Sequence, residues 1–165
     1  MDMQGSRHLS ISQAQAWESL NDPDTLKQCL PGCEQFEREP AVEGEGEGEG
    51  APPVRYAVRM AVKVGPVSAR FTGRVTLGET DPPHGYTLAF EGQGGIAGHG
   101  KGSSQVTLAP HEDGGCVLGY TVQAQVGGKI AQLGQRLIDG AAKSMADDFF
   151  KRFDAEMQRR QGAEA

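Results

Sequence analysis

The sequence predicts an α+β fold in which a curved antiparallel sheet of about seven strands surrounds a long C-terminal helix, with two short helices near the N-terminus. Three observations support this fold class. The middle of the chain alternates apolar and polar residues with a period of two, and the C-terminal part has a helical period. The segments between the strands are too short for the crossovers that parallel pairing requires.

Composition limits both the size and the function classes. The 165 residues, 37% hydrophobic and 23% charged, suit one packed domain, which we predict over residues 1–158. A net charge of -6 argues against nucleic-acid binding. The chain has neither an apolar run long enough to span a bilayer nor the N-terminal pattern of a secretory signal. We therefore expect a cytoplasmic protein.

The N-terminal elements follow from local signals. Alternation over residues 3–11 predicts a first strand. Ser12 and Gln15 have capping-box spacing, which predicts that a helix starts there. A second short helix is predicted over residues 26–30, before Pro31 and Gly32 turn the chain.

The remaining strands are predicted from segments in which apolar side chains occupy one face and polar side chains the other. These segments are residues 34–39, 54–64, 67–77, 86–90, 106–108 and 116–126. Alternating glutamate and glycine over residues 43–50 predicts a flexible, solvated insertion at a hairpin tip, with an acidic docking tag as the alternative.

Residues 129–158 are predicted to form one long helix. Its apolar stripe consists of Ile130, Leu133, Leu137, Ile138, Ala141, Met145 and Phe149. Gly134 lies within this stripe, where glycine costs about 1 kcal/mol relative to alanine, which suggests a close approach or a space beside the helix. Residues 159–165 are predicted to be a disordered tail.

The size of the sheet predicts a cavity. About seven strands span roughly 34 Å, whereas a helix with its side chains is only about 10–12 Å wide. A single helix therefore leaves apolar sheet surface uncovered, and an elongated pocket should lie between the two. From their faces, the candidate ligand-binding residues are Phe36, Met60, Phe71, Phe90, Tyr120, Leu133, Leu137 and Ala141. In the alternative, these side chains simply fill the core.

Motifs for catalysis, metals and cofactors give no positive prediction. The glycine-rich stretch Gly92–Gly102 approaches a phosphate loop, but Gly102 stands where the motif needs Ser or Thr, and a strand pattern follows it. The three cysteines have neither disulfide nor zinc spacing, and the four histidines are scattered. We predict no catalytic residue, no metal site and no cofactor.

Several segments together resemble the carbon monoxide dehydrogenase G-subunit family over nearly all of residues 1–155. They are residues 17–23 (WESLNDP), 29–34 (CLPGCE), 63–67 (KVGPV), 92–102, 127–138 (GGKIAQLGQRLI) and 146–150 (ADDFF). The resemblance implies a START-like, helix-grip fold without established catalytic residues.

The resemblance also implies a function. Members are linked with molybdenum-containing carbon monoxide dehydrogenase and related hydroxylases, in maturation or in membrane recruitment. The cavity typical of the superfamily implies an apolar small-molecule ligand, either a lipid or a quinone. Because this sequence lacks the long C-terminal extension of some members, we expect at most peripheral contact with the inner face of the cell membrane.

Two other functions stay open. The same superfamily contains polyketide cyclase/dehydratase enzymes, and such an activity would need a polar group aimed into the pocket, for which Tyr56, Tyr120 and His99 are the candidates. Alternatively, a strand face carrying Arg55, Arg59, Arg70 and Arg74 docks an acidic protein surface. The favoured hypothesis is a non-enzymatic binding protein that serves an oxidoreductase.

Overall fold

The computed structural model describes residues 1–40 and 54–164, and side chains as far as residue 161. Its strands are β1 (Asp2–Leu9), β2 (Cys33–Arg38), β3 (Arg55–Val64), β4 (Val67–Asp81), β5 (Gly85–Gln93), β6 (His99–Pro110) and β7 (Cys116–Gly127). Its α-helices are α1 (Gln13–Leu20), α2 (Pro23–Cys29) and α3 (Gln135–Glu164), and 3₁₀ segments cover Gly95–Ala97 and Lys129–Leu133. The predicted insertion at residues 43–50 lies outside the described residues.

The strands form one antiparallel sheet in the order β1-β7-β6-β5-β4-β3-β2. The chain therefore enters at one edge, crosses to the other through α1 and α2, and returns by successive hairpins. Alternate residues of each strand face α3, and the other residues face outward. This confirms the predicted sheet and the predicted number of strands.

Both N-terminal helices begin at the side chain that caps them. The Ser12 hydroxyl accepts a hydrogen bond from the Gln15 amide at 3.2 Å, as the capping-box spacing predicts. The Asp22 carboxylate accepts from the Asp24 amide at 3.2 Å, and Pro23 occupies the first turn. The second helix therefore begins at Pro23, three residues before the predicted start.

The C-terminal helix differs from the prediction at both ends. Residues 129–133 form a 3₁₀ segment. Gly134 then adopts a φ of 93°, which is not helical, and α3 begins at Gln135. The prediction of one continuous helix from residue 129 is therefore wrong. At the other end α3 continues to Glu164, so residues 159–164 are helical and do not form the predicted disordered tail.

The packed core lies at one end of the molecule. It combines the ends of β1, β6 and β7 with α1, α2 and the C-terminal half of α3, and its members are Leu9, Ile11, Ala16, Leu20, Cys29, Tyr86, Val106, Leu108, Cys116, Leu118, Phe150, Phe153 and Met157. Phe153 is 0% exposed. In the N-terminal half of α3, by contrast, Leu137 is 46% exposed. Ile138, in the same half, is 8% exposed, so α3 is buried along both halves, but the largest cluster of buried residues lies at its C-terminal half.

A curved antiparallel sheet that holds one long C-terminal helix, with two short helices completing one end, is the helix-grip architecture. None of the helices in the described part of the chain combines the length and the apolarity needed to cross a bilayer.

Candidate functional site

An open groove of about 910 Å³ separates the N-terminal half of α3 from the end of β3 and the α2–β2 turn. We call this space the α3 groove. Its wall is formed by Pro31, Gly32, Ala61, Val62, Gly65, Leu137, Gly140, Ala141, Ser144 and Met145. Small and apolar residues predominate, so the groove suits an apolar guest.

Several inward-facing positions on the neighbouring strands are glycines. Inward-facing positions on β4–β6 include Gly73, Gly92, Gly100 and Gly102, and these positions carry no side chain. The ring of Phe90 lies against Gly102, where an added Cβ would come within 2.7 Å of Cζ. At Gly102 the Phe90 ring therefore occupies the space that a side chain would need. The glycine-rich stretch continues into β6 and not into the helix that a phosphate loop requires.

Charged side chains surround the mouth of the α3 groove. Asp147 is paired with Arg7, and Asp148 forms an ion pair with Arg152 at 3.3 Å. The remaining charged lining residues are Lys63, Arg136 and Lys151, and none of these forms an ion pair within the described residues. The rim is therefore positively charged around an apolar wall.

Arg7 marks the boundary between the α3 groove and the core. Its guanidinium lies 5.1 Å from the centroid of the Phe150 ring and also contacts Asp147. Phe150 belongs to the core, whereas Asp147 lines the groove. The half-buried Arg7 thus contacts the core through a cation–π interaction and the groove through an ion pair.

The structure places the eight predicted ligand-binding residues in three settings. Leu137 and Ala141 line the α3 groove. Met60, Phe71, Phe90 and Tyr120, on the inner face of the sheet, and Leu133, on the 3₁₀ segment, are half-buried. Phe36 is 5% exposed and its ring centroid lies 5.1 Å from that of Tyr56, so it is a packed side chain. Their role in ligand binding stays a prediction.

Sequence reasoning missed much of the groove. Pro31, Gly32 and Gly65 lie in turns, and Gly140 and Ser144 lie outside the predicted apolar stripe of the helix. The signal that could have found the helical residues is their spacing, because Leu137, Gly140, Ala141 and Ser144 follow one another within one face of the helix.

The residues considered for acid–base chemistry do not converge. Tyr56 is buried, and desolvation raises the pKa of its hydroxyl, with a smaller opposing effect of Arg38. Tyr120 packs on Phe150 with ring centroids 5.7 Å apart, and its hydroxyl lies over Gly5. His99 is exposed at the start of β6. These three side chains occupy separate places in the fold.

The three cysteines are free thiols. Desolvation is the main cause that raises the pKa of both Cys29 and Cys33. A raised pKa disfavours the reactive thiolate form of both side chains.

Outward-facing arginines of the sheet form ion pairs with neighbouring carboxylates. Glu34 on β2 accepts a hydrogen bond from Arg70 at 2.9 Å and lies 3.8 Å from Arg59. Glu39 accepts from Arg74 at 3.0 Å. These contacts cross the β2–β4 surface and offset much of the positive charge that docking to an acidic partner would use.

A depression of about 730 Å³ also lies mainly on the outer face of the sheet. Its lining includes the charged side chains of Asp2, Arg74, Glu91 and Lys101. Of the predicted ligand-binding residues, only Phe90 lines this depression, whereas both Leu137 and Ala141 line the α3 groove, so we take the α3 groove as the candidate site.

Comparison with known proteins gives a consistent result. The family model that describes the G component of carbon monoxide dehydrogenase (CoxG) matches residues 5–158. A conserved protein from Geobacillus kaustophilus is 30% identical with a TM-score of 0.81, and the alignment covers 96% of each chain. A comparison with curated proteins gives no match.

More distant structures share the fold alone. A protein from Rhizobium leguminosarum is 15% identical with a TM-score of 0.70, over 96% of this chain and 95% of that chain. Ara h 8.0201 is 17% identical with a TM-score of 0.64, over 96% of this chain and 98% of that chain. Since the family model spans nearly the whole sequence, this protein belongs to the CoxG family of carbon monoxide dehydrogenase components.

Proposed function

We propose that the protein binds an apolar small molecule, a lipid or a quinone, between α3 and the sheet without transforming it. The observation that carries this proposal is the open α3 groove of about 910 Å³, with its wall of small and apolar side chains. Drug-sized and cofactor-sized ligands occupy sites of roughly 300–1,000 Å³, so the volume is adequate.

The charges at the mouth favour an amphiphilic ligand. Lys63, Arg136 and Lys151 line the groove together with apolar residues. Both proposed ligand classes have an electron-rich end, either the phosphate of a lipid or the carbonyl oxygens of a quinone. The apolar part would occupy the groove while this end faces the rim.

Membership of the CoxG family supports a partner enzyme for this protein. We expect the protein to serve a molybdenum carbon monoxide dehydrogenase or a related hydroxylase, either in its maturation or in its recruitment to the membrane. In this proposal the protein works in the cytoplasm and has at most peripheral contact with the inner membrane face. Loss of the protein should reduce active or membrane-associated hydroxylase without preventing synthesis of the hydroxylase polypeptides.

Native mass spectrometry of the gently purified full chain tests ligand binding. We expect a co-purifying lipid or quinone, and uptake of decylubiquinone or of phosphatidylglycerol from vesicles when the protein is empty. Ala141→Trp should reduce this occupancy because the indole fills the groove. Ala155→Trp is the matched control, since Ala155 is an exposed alanine of the same helix.

The same measurement separates a carrier from an enzyme. A carrier returns the bound molecule with unchanged mass, whereas a cyclase or dehydratase returns a product. An empty protein that takes up neither probe, or equal occupancy in both tryptophan variants, would contradict binding in the α3 groove.

A further inference from the structure

Two histidines and one aspartate meet where β1 ends beside the β6–β7 turn. His8 is on β1, and His111 and Asp113 lie in the turn, yet single nitrogen or oxygen atoms of all three come within 4.8 Å of one another. This cluster shares no residue with the lining of the α3 groove. Its function is therefore independent of the proposed ligand.

Each histidine approaches a different oxygen of the same carboxylate. His8 Nε2 lies 2.8 Å from Asp113 Oδ2, and His111 Nδ1 lies 3.0 Å from Asp113 Oδ1. The two imidazole rings meet edge to face with their centroids 4.7 Å apart. Nitrogen and oxygen ligands bind Zn²⁺ at about 2.0–2.2 Å, which places neighbouring ligand atoms roughly 3.4 Å apart in a tetrahedral site. Small side-chain movements would therefore admit an ion.

The turn holds two of the three groups in place. The Gly115 amide donates to Asp113 Oδ1 at 2.8 Å, and the Asp113 amide donates to His111 Nδ1 at 3.2 Å. Because Nδ1 has one lone pair, it would exchange this second hydrogen bond for the ion. The His111 amide donates to the Gly115 carbonyl at 2.9 Å, which closes the turn. An added Cβ at Gly115 would lie only 2.2 Å from the Leu9 carbonyl oxygen, so the close approach of the turn to β1 depends on this glycine.

The surroundings suit an exchangeable cation. The side chains of His8, His111 and Asp113 are 47%, 42% and 51% exposed, so an ion can enter and retain water as a further ligand. The net charge of -6 also favours cations.

We propose that His8, His111 and Asp113 form a surface binding site for one divalent transition-metal ion. Two imidazoles and one carboxylate select borderline ions such as Zn²⁺, Ni²⁺ and Cu²⁺, whereas Mg²⁺ and Ca²⁺ prefer sites made of oxygen alone. The bound ion would tie the end of β1 to the β6–β7 hairpin. Sequence spacing could not show this site, because His8 and the turn are brought together only by the pairing of β1 with β7.

Titration of the tag-free, reduced full chain with ZnCl₂ tests the proposal. We expect one Zn²⁺ per chain by isothermal titration calorimetry and equilibrium dialysis. A hundredfold excess over the dissociation constant should raise the melting temperature by about 5–10 °C. Co²⁺ in the site should show d–d bands without a thiolate charge-transfer band, which distinguishes this site from binding to cysteine.

Three variants make the test specific. His8→Gln and Asp113→Asn should each weaken Zn²⁺ binding at least tenfold, and the metal-free His8→Gln variant should melt near the wild-type temperature because His8 is an exposed strand residue. His84→Ala is the matched control, since His84 is an exposed histidine that faces a single aspartate, Asp81, at 3.6 Å. Absence of stoichiometric Zn²⁺ binding, or equal binding by wild type and His8→Gln, would overturn the proposal.

Discussion

At the scale of single residues, a hydrogen-bonded chain connects the C-terminal part of α3 to α2. Glu156 accepts a hydrogen bond from Arg160 Nε at 3.0 Å. Arg160 Nη2 donates to the Thr25 hydroxyl at 2.8 Å, and that hydroxyl donates to Asp22 at 2.8 Å. Thr25 is 0% exposed, so its buried hydroxyl depends on these partners. The chain therefore fixes the position of α3 against the N-terminal helices.

Glu156 should make stability depend on pH under acid conditions. Hydrogen bonds from Arg159, and then from Arg160, lower the pKa of Glu156 from 4.5 to about 2. A carboxyl group with a lowered folded-state pKa stabilises the protein fully above its unfolded pKa, and this stabilisation is lost as the pH falls. The contribution of Glu156 should thus decline between about pH 4.5 and pH 2. Urea unfolding across this range should show a smaller pH dependence for Glu156→Gln than for wild type.

A control variant separates this effect from general acid denaturation. Glu18 is an exposed glutamate on α1, and Glu18→Gln should leave the pH dependence close to that of wild type. A Glu156→Gln profile parallel to the wild-type profile would show that the arginine contacts do not persist in solution.

At the scale of elements, the sequence predicted many boundaries but neither the break before α3 nor the full length of β6, which begins at His99 and not near residue 106. Ser12 was recognisable because its cap is a local interaction within a few residues. The break at Gly134 could not be recognised from the sequence, because the apolar spacing on either side of it fits a continuous helix equally well. Only the backbone shows that Gly134 has a φ of 93° and that Leu133 lies on a 3₁₀ segment.

The break at Gly134 predicts whether an alanine at this position stabilises or destabilises the protein. If Gly134 lay inside a helix, Gly134→Ala would stabilise the protein, but its φ of 93° and ψ of 154° lie in a region that is essentially restricted to glycine, so alanine should be unfavourable by about 1–3 kcal/mol. Gly140→Ala is the matched control on α3, where an added Cβ meets no atom within 4 Å and helix propensity should add about 1 kcal/mol. Urea unfolding should therefore move the two midpoints in opposite directions. Stabilisation by Gly134→Ala would mean that the helix is continuous.

At the scale of the whole molecule, the fold has a packed end and an open end. Three of the four buried hydrophobic side chains in the described part of α3, Phe150, Phe153 and Met157, lie in its C-terminal half, and the fourth, Ile138, lies near its start. The N-terminal half faces the α3 groove through Leu137 and Ala141. The candidate site therefore lies along the N-terminal half of α3, and the largest cluster of buried residues lies at its C-terminal half.

This division explains which parts of the site were predictable. The width of the sheet against the width of one helix was enough to predict uncovered apolar surface, and the alternation identified the inward-facing Met60 and Phe71. Alternation could not show that Phe36 is packed against Tyr56, because that depends on which end of the sheet α1 and α2 cover. The turn residues Pro31 and Gly32 were likewise outside any periodic pattern.

Two phenylalanine truncations test the division directly. Phe153→Ala should lower the free energy of unfolding by about 3–5 kcal/mol, because this side chain is 0% exposed and leaves a cavity in the core. Phe71→Ala should cost only roughly 1 kcal/mol, since a half-buried ring removes less apolar surface from water. Urea unfolding of the ligand-free protein measures both losses. Equal losses would mean that the inner face near Phe71 is as tightly packed as the core.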